Sequence, residues 1–186
     1  LGAMGWGSAR LTHLVVESER RAYADRSVHL GDSDFWEVPT EKLMDVKYAR
    51  ERMKDFDPER ATLSRGFAAG QWADESEDTT HYSLIDKDGM MVAITTTLNS
   101  SFGSQLVIPG TGILMNNEMD DFSAQPGVPN QFGLLGAEAN AIQPMKRMLS
   151  SMTPTLVTRD GAPFLITGSP GGSTIITTVL QVIMNV

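Results

Sequence analysis

Two adjacent threonines, Thr79 and Thr80, stand between an acidic run and a segment with the pattern of a β-strand. If the Asp78–Thr79 peptide bond breaks, Thr79 gains a free α-amino group beside its own hydroxyl. A hydroxyl is a weak nucleophile that needs a base within hydrogen-bond reach, and an α-amine titrates near pH ~8, close enough to operating pH to take the proton. One residue would then supply both nucleophile and base. The alternative is that both threonines are simply β-branched strand formers.

Eight short motifs are spread over nearly the whole chain. In chain order they are Ala22–Arg26, Leu30–Asp32, Thr79–Ser83, Thr97–Asn99, Asn116–Ser123, Pro126–Asn130, Leu149–Thr155 and Gly168–Gly172. In order and spacing, the last six resemble the small subunit of the γ-glutamyltranspeptidases, and the first two resemble the end of the large subunit. The chain is thereby identified as a member of this family of N-terminal nucleophile hydrolases.

Local patterns predict helices before Thr79 and strands after it. Residues 57–78 lack periodicity and are predicted to be a mobile connector, while residues 99–150 are rich in Gly, Pro and Asn and are predicted to be long loops. The predicted elements are helices from Ser8 to about Val28 and from Glu41 to about Lys54 (burying Leu43, Val46 and Met53), hairpins over 79–85 with 91–98 and 155–158 with 163–167, and a helix over 173–186, where a strand stays possible.

This order of elements predicts an α+β fold, an α/β sandwich. The resemblance specifies the four-layer αββα fold of the N-terminal nucleophile hydrolases, present in part. It also divides the chain: residues 1–78 would be the C-terminal part of the large subunit, and residues 79–186 the N-terminal part of the small subunit. We expect the rest of the large subunit to lie upstream, including the family's arginine for the substrate α-carboxylate.

The resemblance implies an enzyme activated by autoproteolysis between Asp78 and Thr79. The Thr79 hydroxyl would attack the Asp78 carbonyl, and water would hydrolyse the resulting ester. The freed Thr79 would then take a γ-glutamyl group from glutathione or another γ-glutamyl amide. The acyl group would pass to an amino acid, a dipeptide or water. This γ-glutamyltransferase and glutathione hydrolase chemistry requires no metal or organic cofactor.

The resemblance also assigns roles to residues around Thr79. Thr97, on the neighbouring strand, would hydrogen-bond the nucleophile, although a strand role is the alternative for it. Gly171 and Gly172 would supply an oxyanion hole, and a tight turn before a helix is the alternative for them. Phe132 would belong to the lid loop, where several members carry Tyr. The predicted substrate clamp consists of Asn99, Glu118, Asp121, Ser150 and Ser151.

The clamp follows from the chemistry of a γ-glutamyl group. Carboxylates at Glu118 and Asp121 can bind its α-ammonium through charge-assisted hydrogen bonds, and the hydroxyls of Ser150 and Ser151 can donate to its α-carboxylate. A solvated acidic turn is the alternative for the first two residues; a Ca²⁺ loop fits less well because the EF-hand spacing is absent. His81 shares a strand face with Thr79 but has no orienting acid, so we interpret it as structural.

Composition excludes several other classes of protein. The chain has 186 residues and a net charge of −8, which argues against a nucleic-acid partner. It has no cysteine and three scattered histidines, which excludes disulfides and a Cys nucleophile and disfavours a His-rich metal site. No apolar run reaches the ~20 residues of a membrane span. The resemblance implies a periplasmic or secreted location.

Two rival functions remain open at this point. A related acylase, similar to the cephalosporin or glutaryl acylases, could use the same Thr79 on another acyl group. A non-catalytic homologue could keep the fold and act as a binding protein. The sequence decides neither whether the Asp78–Thr79 bond is cut, nor the acceptor, the ratio of transfer to hydrolysis, or the oligomeric state.

Overall fold

The computed structural model describes residues 2–63, 79–131 and 133–186. Within those ranges, helices come first, two β-hairpins occupy the middle and the end, and a helix follows the second hairpin. The elements are α1 (Ala9–His29), α2 (Thr40–Leu43), α3 (Val46–Arg52), β1 (Thr80–Ile85), β2 (Met91–Thr96), β3 (Thr155–Arg159), β4 (Ala162–Thr167) and α4 (Ile175–Met184), with short 3-10 turns between them.

Helix α1 confirms the first predicted helix almost to the residue. Ser8 caps its N-terminus, where the Ser8 hydroxyl accepts a hydrogen bond from the Leu11 N–H at 3.2 Å. The helix ends at His29, and the Leu30 N–H donates to the Arg26 carbonyl. Because α1 packs on several loops that carry predicted site residues, it is the main support of the site.

The second predicted helix was wrong as one continuous element. The chain forms two short helices, α2 and α3, separated at Met44–Asp45. The Asp45 carboxylate accepts a hydrogen bond from the Lys47 N–H at 2.8 Å and caps a new helix. An aspartate that bonds a nearby backbone N–H in this way interrupts one helix and starts another. Val46, predicted to be buried, is 61% exposed.

The predicted mobile connector begins with a segment that is firmly held. Thr62 donates its hydroxyl to the Glu17 carboxylate at 2.6 Å and its N–H at 3.1 Å. Glu17, which is 1% exposed, also accepts from Arg20 and Arg21. These bonds, that of Thr62 foremost, lower the pKa of Glu17 to about 2. Thr62 is therefore anchored to α1, whereas residues 64–78 of the connector lie outside the described residues.

Both predicted hairpins are present, with the expected antiparallel pairing. Strand β1 pairs with β2 from Thr80 opposite Thr96 to Ile85 opposite Met91, and β3 pairs with β4. The two sheets contact each other through β4. The last predicted helix is α4, so the strand alternative for that segment was wrong. The described residues therefore form a partial α+β fold.

His81 lies in the packing between the two hairpins. Its Nδ1 is 2.8 Å from the Thr95 hydroxyl and its Nε2 is 2.9 Å from the Ser83 hydroxyl. Gly168, just after β4, lies directly against the imidazole ring, because a Cβ at that position would be 2.2 Å from Nδ1. Both ring nitrogens are thus engaged within the sheets, which supports a structural role.

The segment that follows α1 packs closely on the loops between the hairpins. The Arg147 guanidinium and backbone N–H donate to the buried Asp32 carboxylate at 2.5 to 2.9 Å, and these bonds hold the pKa of Asp32 well below its usual range. Gly31 fits against the Ala139 carbonyl, where a Cβ would be only 2.0 Å from the oxygen.

The predicted division of the chain at residue 79 stays a prediction. Among the described residues, no helix has the length and apolar character to cross a membrane.

Candidate active site

A small cleft of about 30 Å³ opens where the start of β1, the end of β2, the loop before β3 and the start of α4 come together. Seven of the residues predicted from sequence line it, although they are far apart in the chain. The lining residues are Thr79, Thr97, Asn99, Asp121, Ser150, Ser151, Met152, Gly172, Ser173 and Ile175. Its volume is about the share of one water molecule in the liquid.

The first hairpin places the two threonines in this cleft. Thr80 and Thr96 are the outermost pair of the β1–β2 ladder, so the residues that continue each strand, Thr79 and Thr97, lie at the same end of the hairpin. The Thr97 hydroxyl oxygen accepts a hydrogen bond from the Asn99 N–H at 2.9 Å. Because that bond uses a lone pair, the hydroxyl proton of Thr97 remains able to donate to an oxygen in the cleft.

The turn before α4 contains two glycines whose backbone other residues rarely adopt. Gly171 has φ +123° and Gly172 has φ +53°. The Gly171 carbonyl accepts from the Thr174 N–H at 3.0 Å and from the Thr174 hydroxyl at 2.6 Å, which ties the turn to the helix start. Gly172 lines the cleft and Gly171 lies next to it, outside the lining.

Asp121 is the acidic group that faces the cleft. Burial first, and then the nearby charges of Glu118 and Asp120, raise the pKa of Asp121 to about 6, while the charge of Arg26 opposes them. Burial also raises the pKa of Glu118. Glu118 does not line the cleft, but its charge acts on Asp121. The neighbouring negative charges of Glu118, Asp120 and Asp121 therefore favour the binding of a cation at this turn.

Asn99 is buried in the wall of the cleft and has an unusual backbone. It is 6% exposed and has φ +78°, a left-handed conformation that asparagine tolerates better than most residues. Its side-chain Nδ2 donates to the Asn117 carbonyl at 3.1 Å. This bond fixes the amide, so that Oδ1 is the atom of Asn99 that can accept from a donor such as an ammonium.

Ser150 and Ser151 have hydroxyl oxygens that already accept hydrogen bonds. The Ser150 oxygen accepts from the Met152 N–H at 3.0 Å, and the Ser151 oxygen accepts from the Arg26 guanidinium at 3.0 Å. Each hydroxyl therefore has its proton to offer, and two neighbouring O–H donors suit a carboxylate. The cleft thus has an acidic wall, which is Asp121, and a hydroxyl wall, which is the Ser150–Ser151 pair.

Sequence reasoning missed two residues of α1 that support the cleft. Arg26 bonds Ser151 and contributes a positive charge beside Asp121. The Tyr23 hydroxyl donates to the Ser173 carbonyl at 2.8 Å, which ties α1 to the glycine turn. Their spacing of three residues puts both on one face of the helix. That spacing, inside a motif already singled out, was the signal that could have identified them.

Two predicted residues, Asp78 and Phe132, lie outside the described residues. Over the ranges that the structure covers, no group of three or more His, Asp or Glu side chains could hold a metal ion. The site is thus built from hydroxyls, carboxylates, an amide and backbone groups.

Comparison with known proteins places this chain in a family. The sequence model of γ-glutamyltranspeptidase matches residues 1–186, the whole chain. A glutathione hydrolase proenzyme of Escherichia coli is 53% identical over 182 residues, which are 97% of this chain and 31% of that protein. An acylase proenzyme of a Pseudomonas species is 37% identical over 185 residues, which are 100% of this chain and 31% of that protein.

A solved structure agrees with these sequence relatives. The γ-glutamyltranspeptidase of Helicobacter pylori, crystallised as a mutant, superimposes with a TM-score of 0.56 at 59% identity, covering 57% of this chain and 57% of that one. The part of the chain that superimposes shares its fold with that γ-glutamyltranspeptidase. The chain belongs to the γ-glutamyltranspeptidase family, and it spans about 31% of the length of its Escherichia coli relative.

Proposed function

We propose that the chain carries the catalytic centre of a γ-glutamyltransferase that also hydrolyses glutathione. One observation supports this most: the cleft brings Thr79, an acidic wall and a pair of serine hydroxyls within one small space. That set of groups matches the three parts of a γ-glutamyl substrate, which are a reactive carbonyl, an α-ammonium and an α-carboxylate.

In the proposed reaction, the Thr79 hydroxyl attacks the γ-carbonyl of the substrate. Its own α-amine takes the hydroxyl proton and later gives a proton to the leaving amine. Thr97 donates a hydrogen bond to the nucleophile, and backbone N–H groups of the Gly171–Gly172 turn stabilise the oxyanion. The γ-glutamyl ester on Thr79 is then taken up by an amino acid, a dipeptide or water.

Substrate binding in this proposal uses the two walls separately. Asp121 and Asn99 accept from the α-ammonium, and Glu118 adds negative charge behind Asp121. The hydroxyls of Ser150 and Ser151 donate to the α-carboxylate.

The larger architecture is part of the same proposal. We infer a four-layer αββα arrangement, a precursor that cuts itself between Asp78 and Thr79, and two subunits that stay together. A periplasmic or secreted location is supported by the family alone. The acceptor is an amino acid, a dipeptide or water.

An acylase is the second candidate function, since one acylase is 37% identical to the chain. The charges of the cleft favour the glutamyl substrate over the glutaryl one. A glutaryl group lacks an α-ammonium. Without that cation, the negative charges of Glu118 and Asp120 would repel the buried carboxylate of Asp121, and nothing in the substrate would offset the repulsion. A non-catalytic binding protein is the third candidate.

Mass and activity together test these candidates. We expect the longest natural polypeptide that contains this chain to give two masses under denaturing conditions, the lighter one beginning at Thr79. The processed protein should cleave γ-glutamyl-4-nitroanilide faster than glutaryl-4-nitroanilide. The reverse preference would establish an acylase, and a single uncut mass without hydrolysis would establish a non-catalytic homologue.

The raised pKa of Asp121 predicts how ligand binding depends on pH. An α-ammonium binds the carboxylate form, and the pKa of Asp121 in the empty site is about 6. The inhibition constant of L-glutamate should therefore rise as the pH falls below 6, approaching about tenfold per pH unit. Inhibition measured from pH 4.5 to pH 7.5 checks this.

Two controls separate Asp121 from other titrating groups. Glutarate lacks the ammonium, so its inhibition constant should not rise in the same way at low pH. The Asp121→Asn variant should bind L-glutamate weakly at neutral pH and lose the extra pH dependence. An unchanged profile in that variant would show that another group is titrating.

A further inference from the structure

Asn140 is a buried polar residue directly behind the two walls of the cleft. It is 6% exposed and ends the short 3-10 turn Glu138–Asn140. It does not line the cleft and therefore does not touch a ligand there. A buried amide in a loop region needs hydrogen-bond partners, because leaving such a group without them is costly.

The Asn140 side chain makes one bond to each wall. Its Nδ2 donates to the Asp121 carbonyl at 2.7 Å, and its Oδ1 accepts from the Leu149 N–H at 3.0 Å. Leu149 immediately precedes Ser150. A carbonyl requires a donor and an N–H requires an acceptor, so only one orientation of the amide satisfies both partners.

The backbone of Asn140 is fixed as well. Its carbonyl accepts from the Ser123 N–H at 2.9 Å, and its N–H donates to the Ala137 carbonyl at 3.1 Å. The preceding residue, Ala139, is fully buried and packs under Gly31. The amide is therefore held on a rigid support, and it can set the spacing between the two walls.

We propose that Asn140 is a positioning residue that sets the distance between the ammonium-binding Asp121 and the carboxylate-binding Ser150–Ser151 pair. The inference rests on the proposed function, because it assigns the two walls to the two α-substituents of a glutamyl group. Both walls lie on long loops outside the two β-hairpins, where no β-sheet hydrogen bonds hold them together. A single side chain that bonds both loops therefore fixes their separation.

A short primary amide suits both bonds because it carries a donor and an acceptor side by side. Aspartate keeps an acceptor for the Leu149 N–H but turns a second oxygen toward the Asp121 carbonyl. Alanine makes neither bond and leaves two buried backbone groups without this partner. These two substitutions therefore separate the effect on one wall from the effect on both.

The experiment measures ligand binding in the longest natural polypeptide that contains this chain. We expect Asn140→Ala to raise the inhibition constant of L-glutamate by about 10- to 100-fold, by analogy with the loss seen when residues that orient the ligands of a metal site are replaced. Asn140→Asp should weaken L-glutamate more than glutarate, because only the ammonium wall is displaced. In both variants, acetylation of Thr79 by 4-nitrophenyl acetate, followed on its peptide by mass, should stay near the wild-type rate.

That acetylation separates positioning from general damage, because the small ester does not use the two walls. Val179→Ala is a matched control: Val179 is 3% exposed in α4 and does not line the cleft, so the variant should lose thermal stability but keep its affinity for L-glutamate. If Asn140→Ala does not fold, the test is made with Asn140→Asp alone.

Three results would count against the inference in different ways. Folded Asn140 variants that bind L-glutamate within about twofold of wild type would overturn it. A parallel loss of Thr79 acetylation and L-glutamate binding would reduce Asn140 to a stabilising residue. A wild-type protein that neither binds L-glutamate nor cleaves the γ-glutamyl anilide would overturn the proposed function itself, and the inference with it.

Discussion

Replacing Thr79 with alanine is expected to leave the chain uncut after Asp78 and to abolish γ-glutamyl transfer. The substitution removes the hydroxyl proposed to attack in both reactions, and in the uncut chain no α-amine forms to act as base. The loss of kcat should be on the order of 10⁶-fold, the scale seen when a serine nucleophile is removed from a protease. Intact mass and hydrolysis of γ-glutamyl-4-nitroanilide measure the two effects.

Thr80→Ala is the matched control for this change. Thr80 is the adjacent residue, has the same side chain and pairs with Thr96 in the ladder, but it does not line the cleft. Its variant should process itself and keep most of its activity. A Thr79→Ala protein that is still cut, or a Thr80→Ala protein that is equally inactive, would contradict the assignment of the nucleophile.

Regular elements were predictable from sequence because their signals are local. The hairpin around Asp86–Gly89 combines alternating strand residues with a turn glycine, and the helix from Ser8 has both a cap and an apolar face. The break between α2 and α3 was missed because helix periodicity continues across it. What interrupts the helix is a single hydrogen bond that the Asp45 carboxylate accepts from the Lys47 N–H, which competes with the helical backbone.

Motifs in the sequence predicted which residues belong to the site, but they could not predict how those residues are arranged in space. Asp121 and Ser150 lie in long loops whose path follows from packing on α1 and not from local propensity. The motifs around Asp121 and Ser150 do not indicate that these residues meet Thr79 in one cleft. They also do not indicate that the charge of Glu118 raises the pKa of Asp121. The pairing of Thr80 with Thr96 is the exception, because hairpin register alone brings Thr79 and Thr97 to one end.

The supporting residues were the least predictable part. Asn140 carries no chemistry of its own and stands in a segment rich in Ala and Asn. Its importance depends on two contacts, to the Asp121 carbonyl and to the Leu149 N–H, that exist only in the folded chain. A buried amide of this kind is found by following the hydrogen bonds of the loops, since the great majority of buried polar groups are hydrogen-bonded.

Replacing Gly171 with alanine is expected to lower kcat/KM by about 10²- to 10³-fold, the scale of losing one oxyanion donor. Gly171 has φ +123°, and a Cβ at this position would be 2.9 Å from the Thr174 hydroxyl oxygen. That hydroxyl holds the Gly171 carbonyl, so the methyl group would displace both the bond and the turn. Steady-state hydrolysis of γ-glutamyl-4-nitroanilide measures the effect.

Gly161→Ala shows whether such a loss comes from the oxyanion turn or only from backbone strain. Gly161 also has a positive φ, +78°, but it lies in the β3–β4 turn, and nothing stands within 4 Å of its added Cβ. Both variants introduce an alanine where a left-handed conformation costs roughly 1–2 kcal/mol, so both should be less stable. Only Gly171→Ala should lose catalysis, and it should still bind L-glutamate, because Asp121 and Ser150 are untouched. Equal activities in the two variants would remove Gly171 from the oxyanion hole, and a matching loss of L-glutamate binding would show that the whole cleft had changed.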